Sequence, residues 1–231
     1  MSDAPFENVL LKLWSELPHD TMEWRAASHT TSETLKRWGI PVGFPEEVLA
    51  QAGSIGEFAA REYACGRWAW GIPSEEAIAM LVRHSPIVEI GAGTGYWARL
   101  VAEAGGDIVA YDQHPPAPDE PKGSDWDDGV GTYYDVRCGG PSAVAFHQDR
   151  TLFLCWPPRW NRMASESLDY YKGSTVIFAG ELGGCTADGP FYEAITGNGW
   201  EEVESLTLPR WACIRDSIHA FKRKENIAHE V

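Results

Sequence analysis

Along the first twenty residues, apolar side chains recur at Phe6, Val9, Leu10, Leu13, Trp14 and Leu17, a spacing of three and four that lines one face of a helix. Glu7, Lys12 and Glu16 fall on the other face. The pattern predicts an amphipathic helix whose apolar side needs a cover, either from the rest of the chain or from a second subunit in a homodimer through the N-terminal helices. From 18 to 74 the periodicity is interrupted by Pro18, Pro41, Pro45 and Pro73 and by glycines at 39, 43, 53, 56, 66 and 71, which predicts short helices such as one over 55–65. Ser74 followed by Glu75 and Glu76 is an N-cap with carboxylates in the first turn, where they complement the helix dipole. A helix to about His84 follows from it.

Beyond Pro86 short apolar runs alternate with helical stretches. "IVEI", "DIVAY", "TYYDV", "TLFLC" and "TVIFA" are expected strands; "YWARLVAEAGG", "MASESLDYY" and "PFYEAITGNG" are expected helices. That alternation is the signature of an α/β fold with a parallel sheet wrapped by helices. The last two runs, "EEVESLTL" and "SIHAFKR", have no helical pattern between them and predict an antiparallel hairpin at one edge. The chain therefore divides into a helical extension or cap, 1–73, and an α/β domain, 74–231. Residues 114–131, rich in proline, glycine and acid, predict a mobile surface loop.

Composition narrows the function classes. The 231 residues include 11 tryptophans and are 44% hydrophobic, enough for one sizeable core. No apolar run approaches the roughly 20 residues of a membrane span. Five cysteines, Cys65, Cys138, Cys155, Cys185 and Cys213, are widely spaced without a C-x-x-C pair, so no disulfide framework or zinc site is expected. With no basic n-region at the N-terminus, a cytoplasmic location is the expectation. The formal net charge of −15 opposes a polyanionic partner, because nucleic-acid affinity comes mostly from Lys and Arg displacing counterions. A small molecule is the expected partner.

Candidate chemistry begins at "VEIGAGTGYW", 88–97. An apolar strand, a loop with Gly91, Gly93 and Gly95, then a helix is the arrangement in which backbone N–H groups and a helix N-terminus face a ligand at the carboxyl end of a strand. A dinucleotide fingerprint would put its third glycine where Tyr96 stands, which argues against the alternative of an NAD(P)-dependent oxidoreductase. The observed E-x-G-x-G-x-G, starting at Glu89, resembles the first motif of class I S-adenosylmethionine-dependent methyltransferases. Asp112 ends the second expected strand 21 residues beyond Gly91, where an acid can accept hydrogen bonds from a ribose.

The resemblance implies a doubly wound, seven-stranded, mostly parallel sheet with one antiparallel strand, and S-adenosylmethionine as cofactor. It implies a cofactor site built from Glu89, Gly91, Gly93, Gly95 and Asp112, with Tyr96, Trp97, Gln113, Cys155 and Trp156 as neighbours. "LCWPPRW" ends the fourth strand, where enzymes that methylate DNA amino groups carry Asp or Asn, two prolines and an aromatic. Trp156 takes the first of those positions, and indole cannot accept the amino proton, so base methylation is not expected. Its face suits a sulfonium or an apolar substrate wall. Trp68 or Trp70, in "GRWAWGIPS", is expected to help close the pocket. Methyl transfer depends mainly on alignment in a dry site. Where a base is needed, Glu181, followed by Gly183 and Gly184, is the first candidate, then His114, with Asp135 also at a strand end. The remaining histidines have no metal-like spacing. The expected activity is methylation of an oxygen or nitrogen of a small-molecule acceptor. A cofactor-binding subunit without activity of its own is a further alternative.

Overall fold

The computed structural model describes residues 5–19, 28–40, 53–117 and 130–224. Strands β1 (Ile87–Ile90), β2 (Ile108–Asp112), β3 (Val136–Cys138), β4 (Thr151–Cys155), β5 (Thr175–Gly180), β6 (Trp200–Thr207) and β7 (Ser217–Arg223) form one seven-stranded sheet. Its order is β3-β2-β1-β4-β5-β7-β6. The first five in sequence run parallel, while β7 lies antiparallel between β5 and β6. The expected α/β, doubly wound, mostly parallel sheet is thus the observed one.

Both faces of β1 are buried, as a parallel strand between helical layers requires. On one face Ile87, Phe153 and Ile177 share a core with α4 (Glu75–Arg83), α5 (Tyr96–Glu103) and the N-terminal elements. On the other, Val88, Ile90, Leu154 and Phe178 pack with α6 (Met163–Tyr170), α7 (Gly189–Ile195) and a 3-10 turn at Pro141–Phe146. The Ser74 hydroxyl accepts from Ala77 N at 3.2 Å, so α4 starts at its expected cap, and His84 ends it.

The N-terminal elements are α1 (Val9–Ser15), α2 (Ser28–Arg37) and α3 (Gly53–Arg67). Seven residues are too few for a helix to persist alone in water. Leu10 and Leu13 are wholly buried and Leu17 nearly so, each such burial stabilising by about 1.5–3 kcal/mol. Leu10 N donates to the Tyr96 hydroxyl at 3.0 Å, which donates to Asn8 Oδ1 at 3.1 Å. The apolar stripe is therefore buried at Leu10 and Leu13 in this chain's own core, with α5 anchoring it through Tyr96.

One strand departs from expectation. The pattern predicts a strand over 132–136, but β3 begins at Val136. Tyr133 N donates to Thr94 O at 2.7 Å and the Tyr134 hydroxyl to Ile108 O at 2.9 Å, so these aromatic residues close over the β1–α5 loop instead of pairing with β2. At the far edge, β6 presents Glu201, Glu202 and Glu204, and its register with β7 shifts between Glu202 and Glu204. Pro41, Pro45 and most of the 114–131 loop lie outside the described residues. Among the described residues, no helix is long and apolar enough to cross a membrane.

Candidate functional site

The chain leaves β1 toward β2 on one side and β4 toward β5 on the other, so the crevice between the carboxyl ends of β1 and β4 is the topological switch point where open α/β sheets bind ligands. The glycine loop lies on one bank and Cys155–Trp156 on the other. Gly91 N and Ala92 N both donate to Tyr111 O, at 2.9 and 3.0 Å, folding the loop back onto β2. Gly91 and Gly95 have φ of +77° and +72°, a left-handed conformation that glycine adopts without cost.

What approaches these two glycines is protein. A Cβ at Gly91 would lie 2.6 Å from Met163 Cε, and one at Gly95 2.6 Å from Val136 Cγ2 and 3.0 Å from Tyr134 Cβ. The missing side chains thus make room for α6 and for the residues leading into β3, not for a ligand alone. Met163 is an unbranched thioether that repacks readily, so the space beside Gly91 is adaptable.

Asp112 binds the loop directly. Its Oδ2 accepts from Gly93 N and its Oδ1 from His114 N, each at 2.8 Å. An ionised carboxylate has about four lone-pair sites, so acceptor capacity remains on this half-buried group. Glu89 sits one strand away, 1% exposed, with Oε2 buried and unpartnered. Burial, and then the nearby Asp112 charge, push its pKa up to about 8. A cationic donor beside Glu89 would satisfy that oxygen and reverse the shift.

The opposite bank is aromatic and acidic. Trp156 has φ +48°, a conformation costing a non-glycine residue about 1–3 kcal/mol. Trp156 N donates to Ala179 O at 2.8 Å and Nε1 to Asp216 Oδ2 at 2.9 Å. Trp70 stacks on it, with centroids 5.6 Å apart and planes 25° apart. Trp97 Nε1 donates to Gly71 O at 3.1 Å, while the Thr94 hydroxyl bonds Trp68 O. The segment over 68–71 is therefore tied to the glycine loop through Thr94 and to the first turn of α5 through Trp97, and Trp70 reaches across to the residue that follows β4. The Cys155 thiol is held well above its ordinary pKa by burial and by the Glu89 and Asp216 carboxylates. It stays a thiol, not a nucleophilic thiolate.

Not every expected site residue is placed in this crevice. Tyr96 serves as the α1 anchor, and burial raises its pKa to about 12. Gln113 and His114 are exposed on the rim, with Gln113 O accepting from the Cys138 thiol at 3.7 Å. Glu181 is buried, but Oε2 accepts from Cys185 N at 3.0 Å and Oε1 from Arg215 N at 2.7 Å. Burial alone would raise its pKa; those two N–H groups outweigh it and lower the value. A carboxylate so held is a weak proton acceptor. The missing side chain at Gly184 makes room for Glu181: a Cβ there would meet Glu181 Cβ at 2.6 Å.

Asp216 was not among the expected residues. It is 1% exposed, immediately precedes β7, and keeps Oδ1 buried without a partner. Burial raises its pKa to about 7; Trp156 and Arg61 oppose the rise and the Glu181 charge adds to it. A proton acceptor poised near neutrality is the usual form of a general base. Nothing in "CIRDSIH" distinguishes this aspartate from a surface turn acid.

An open cleft of about 530 Å³ lies farther out, between 159–162 and 183–192, lined by Arg159, Trp160, Asp188 and Tyr192 among others. No glycine-loop residue lines it. Among the described residues, no group of three or more His, Cys, Asp or Glu is placed to hold a metal ion. No protein-family model matches the chain, and no curated protein matches it. Among solved structures, magnesium protoporphyrin IX methyltransferase from Synechocystis PCC 6803, with bound SAM, aligns over 90% of this chain and 99% of that one. The identity is 11% and the TM-score 0.45, a distance at which no residue role transfers.

Proposed function

We propose that the chain is an S-adenosylmethionine-dependent methyltransferase acting on an oxygen or nitrogen of a small molecule. The observation that carries this reading is the pair of carboxylates bracketing the glycine loop: Asp112 clasps Gly93 N, and Glu89 keeps a buried oxygen without a partner. S-adenosylmethionine offers a group for each. Asp112 has acceptor capacity left for ribose hydroxyls, and the Glu89 oxygen suits an α-ammonium. When bound, the cofactor supplies a methyl group on a sulfonium, which needs no acid to make its leaving group depart.

The chain's own residues then exclude water and orient the acceptor. Trp70 and Trp156 wall the crevice, and Trp97 fixes the lead-in segment through Gly71 O. An NAD(P) cofactor fits less well, because Tyr96 fills the place of a third glycine and is committed to α1. A negatively charged protein with no base-accepting group at Trp156 is a poor match to nucleic acid.

Calorimetric titration tests this reading. S-adenosylmethionine and S-adenosylhomocysteine should each bind at least about tenfold more tightly than NADH, a gap of about 1.4 kcal/mol. Asp112→Ala should weaken both by about tenfold or more. Tight NADH binding with no response to either sulfur compound sinks the proposal. Methyl-labelled S-adenosylmethionine incubated with a small-molecule extract then separates an enzyme from an inert binding subunit.

A further inference from the structure

The crevice opposite the glycine loop holds two unsatisfied groups of opposite sign. Asp216 Oδ1 is buried and unpartnered, and so is Arg61 Nε. The Arg61 guanidinium carbon lies 5.3 Å from the centroids of both the Trp70 and Trp156 rings. Its charge lowers the Asp216 pKa, so the two are near each other, yet no hydrogen bond or ion pair joins them. A buried carboxylate and a half-buried guanidinium with a buried, unpartnered Nε, left apart on one aromatic pair, are costly for the folded chain.

The arrangement is held from both sides. Glu57, one turn before Arg61 on α3, accepts from Ala212 N, so that face of α3 is pinned to the segment leading into Asp216. Asp216 is fixed through Oδ2 by Trp156 Nε1, itself in a strained backbone conformation. Trp70 stays 37% exposed. Trp70 thus offers a flat aromatic surface to solvent, while Arg61 Nε lacks an acceptor and Asp216 Oδ1 lacks a donor in the interior beside the same indole pair.

We infer that Arg61, Asp216 and the Trp70–Trp156 pair form the acceptor site, and that the acceptor is a small ring carboxylic acid bearing an N–H or O–H group. The carboxylate pairs with the Arg61 guanidinium, the ring rests on the indoles, and the N–H or O–H donates to Asp216 Oδ1. This deepens the methyltransferase reading and rests on it for what happens next. On methyl transfer a lone pair of the nucleophile would form the new bond to the methyl carbon, and the carbon–sulfur bond would break with its electron pair left on sulfur. The nucleophile's N–H or O–H bond breaks, that electron pair stays on nitrogen or oxygen, and the proton forms a new bond to Asp216 Oδ1. A carboxyl group with a pKa near 7 is suited to take it. Glu181, with both oxygens held by backbone N–H groups, is not.

Four probes test the inference in the unaltered chain, by calorimetry with S-adenosylhomocysteine present: 2-aminobenzoate, 2-hydroxybenzoate, benzoate and aniline. The first two carry both groups and should bind about tenfold or more tighter than either of the last two. Arg61→Ala should erase the advantage of 2-aminobenzoate over aniline, and Arg61→Lys should restore part of it. Asp216→Ala should erase the advantage over benzoate. Equal binding of all four probes overturns the inference, as does displacement of S-adenosylhomocysteine by 2-aminobenzoate, which would assign Arg61 and Asp216 to the cofactor. If S-adenosylhomocysteine does not bind while the ranking persists, the methyltransferase reading falls and the carboxylate site stands.

Discussion

The two banks of the crevice hold carboxylates of the same buried kind but were assembled differently. On the β1–β2 side, Glu89, the glycine loop and Asp112 lie within one strand-loop-helix-strand unit, and Asp112 closes on Gly93 across 19 positions. On the β4–β5–β7 side, Trp156 meets Asp216 across 60 positions and Glu57 meets Ala212 across 155. A ligand-facing backbone can be built from neighbours in sequence. A pocket that selects an acceptor needs side chains from several strand ends, so its members arrive from distant parts of the chain.

Both banks store protonation energy, and their difference is open to measurement. Glu89 and Asp216 have folded pKa values raised to about 8 and about 7. A carboxyl with a raised folded pKa binds its proton more readily folded than unfolded. The resulting stabilisation is full below the unfolded value near 4 and is lost as pH rises through the folded value. Each pH unit separating the folded from the unfolded value is worth roughly 1.4 kcal/mol, so the urea unfolding free energy should fall by several kcal/mol between about pH 5 and about pH 8.5. Glu89→Gln should remove the share lost up to about pH 8, and Asp216→Asn the share ending about one pH unit lower. Saturating S-adenosylhomocysteine should flatten the Glu89 share alone. A pH-independent stability in the unaltered chain would break the comparison.

Gly95→Ala should cost about 2–4 kcal/mol in the same unfolding measurement, from the left-handed backbone and the contact with Val136. A loss below about 0.5 kcal/mol would show that the loop, not its neighbours, yields. Trp156→Phe should cost about 1–3 kcal/mol near pH 8 by leaving Asp216 Oδ2 unpartnered, and less near pH 5, where the carboxyl is neutral. Because the indole N–H lowers the Asp216 pKa, its loss should move the Asp216 titration upward, seen as a carboxyl infrared band. An unmoved band would detach Trp156 from the acid. Ser74→Ala, remote from either bank, should cost only about 1 kcal/mol through its N-cap and leave the pH slope unchanged.

Much of the scaffold was legible because period and punctuation agreed. β4 and β7 fall on their apolar runs, and α4 starts at its Ser74 cap. β3 was misplaced because Tyr133 and Tyr134 have strong strand propensity, whereas tertiary bonds to Thr94 and Ile108 claim them. Within the site, the glycine loop and Asp112 could be recognised from local order. Tyr96 and Glu181 could not be told from ligand-facing residues, since an α1 anchor and a doubly held loop acid leave no local signature. Asp216 was invisible for the converse reason: its importance comes from burial and from an indole sixty positions away, neither of which is written beside it.

The far rim of the sheet carries a separate consequence. Among the described residues, strand β6 ends the sheet with unpaired backbone on its outer side, and its row of Glu201, Glu202 and Glu204, with the register shift between the last two, turns that margin into an electrostatic fence. Two copies approaching rim to rim would stack like charges, so the hairpin keeps molecules from zipping into extended ribbons.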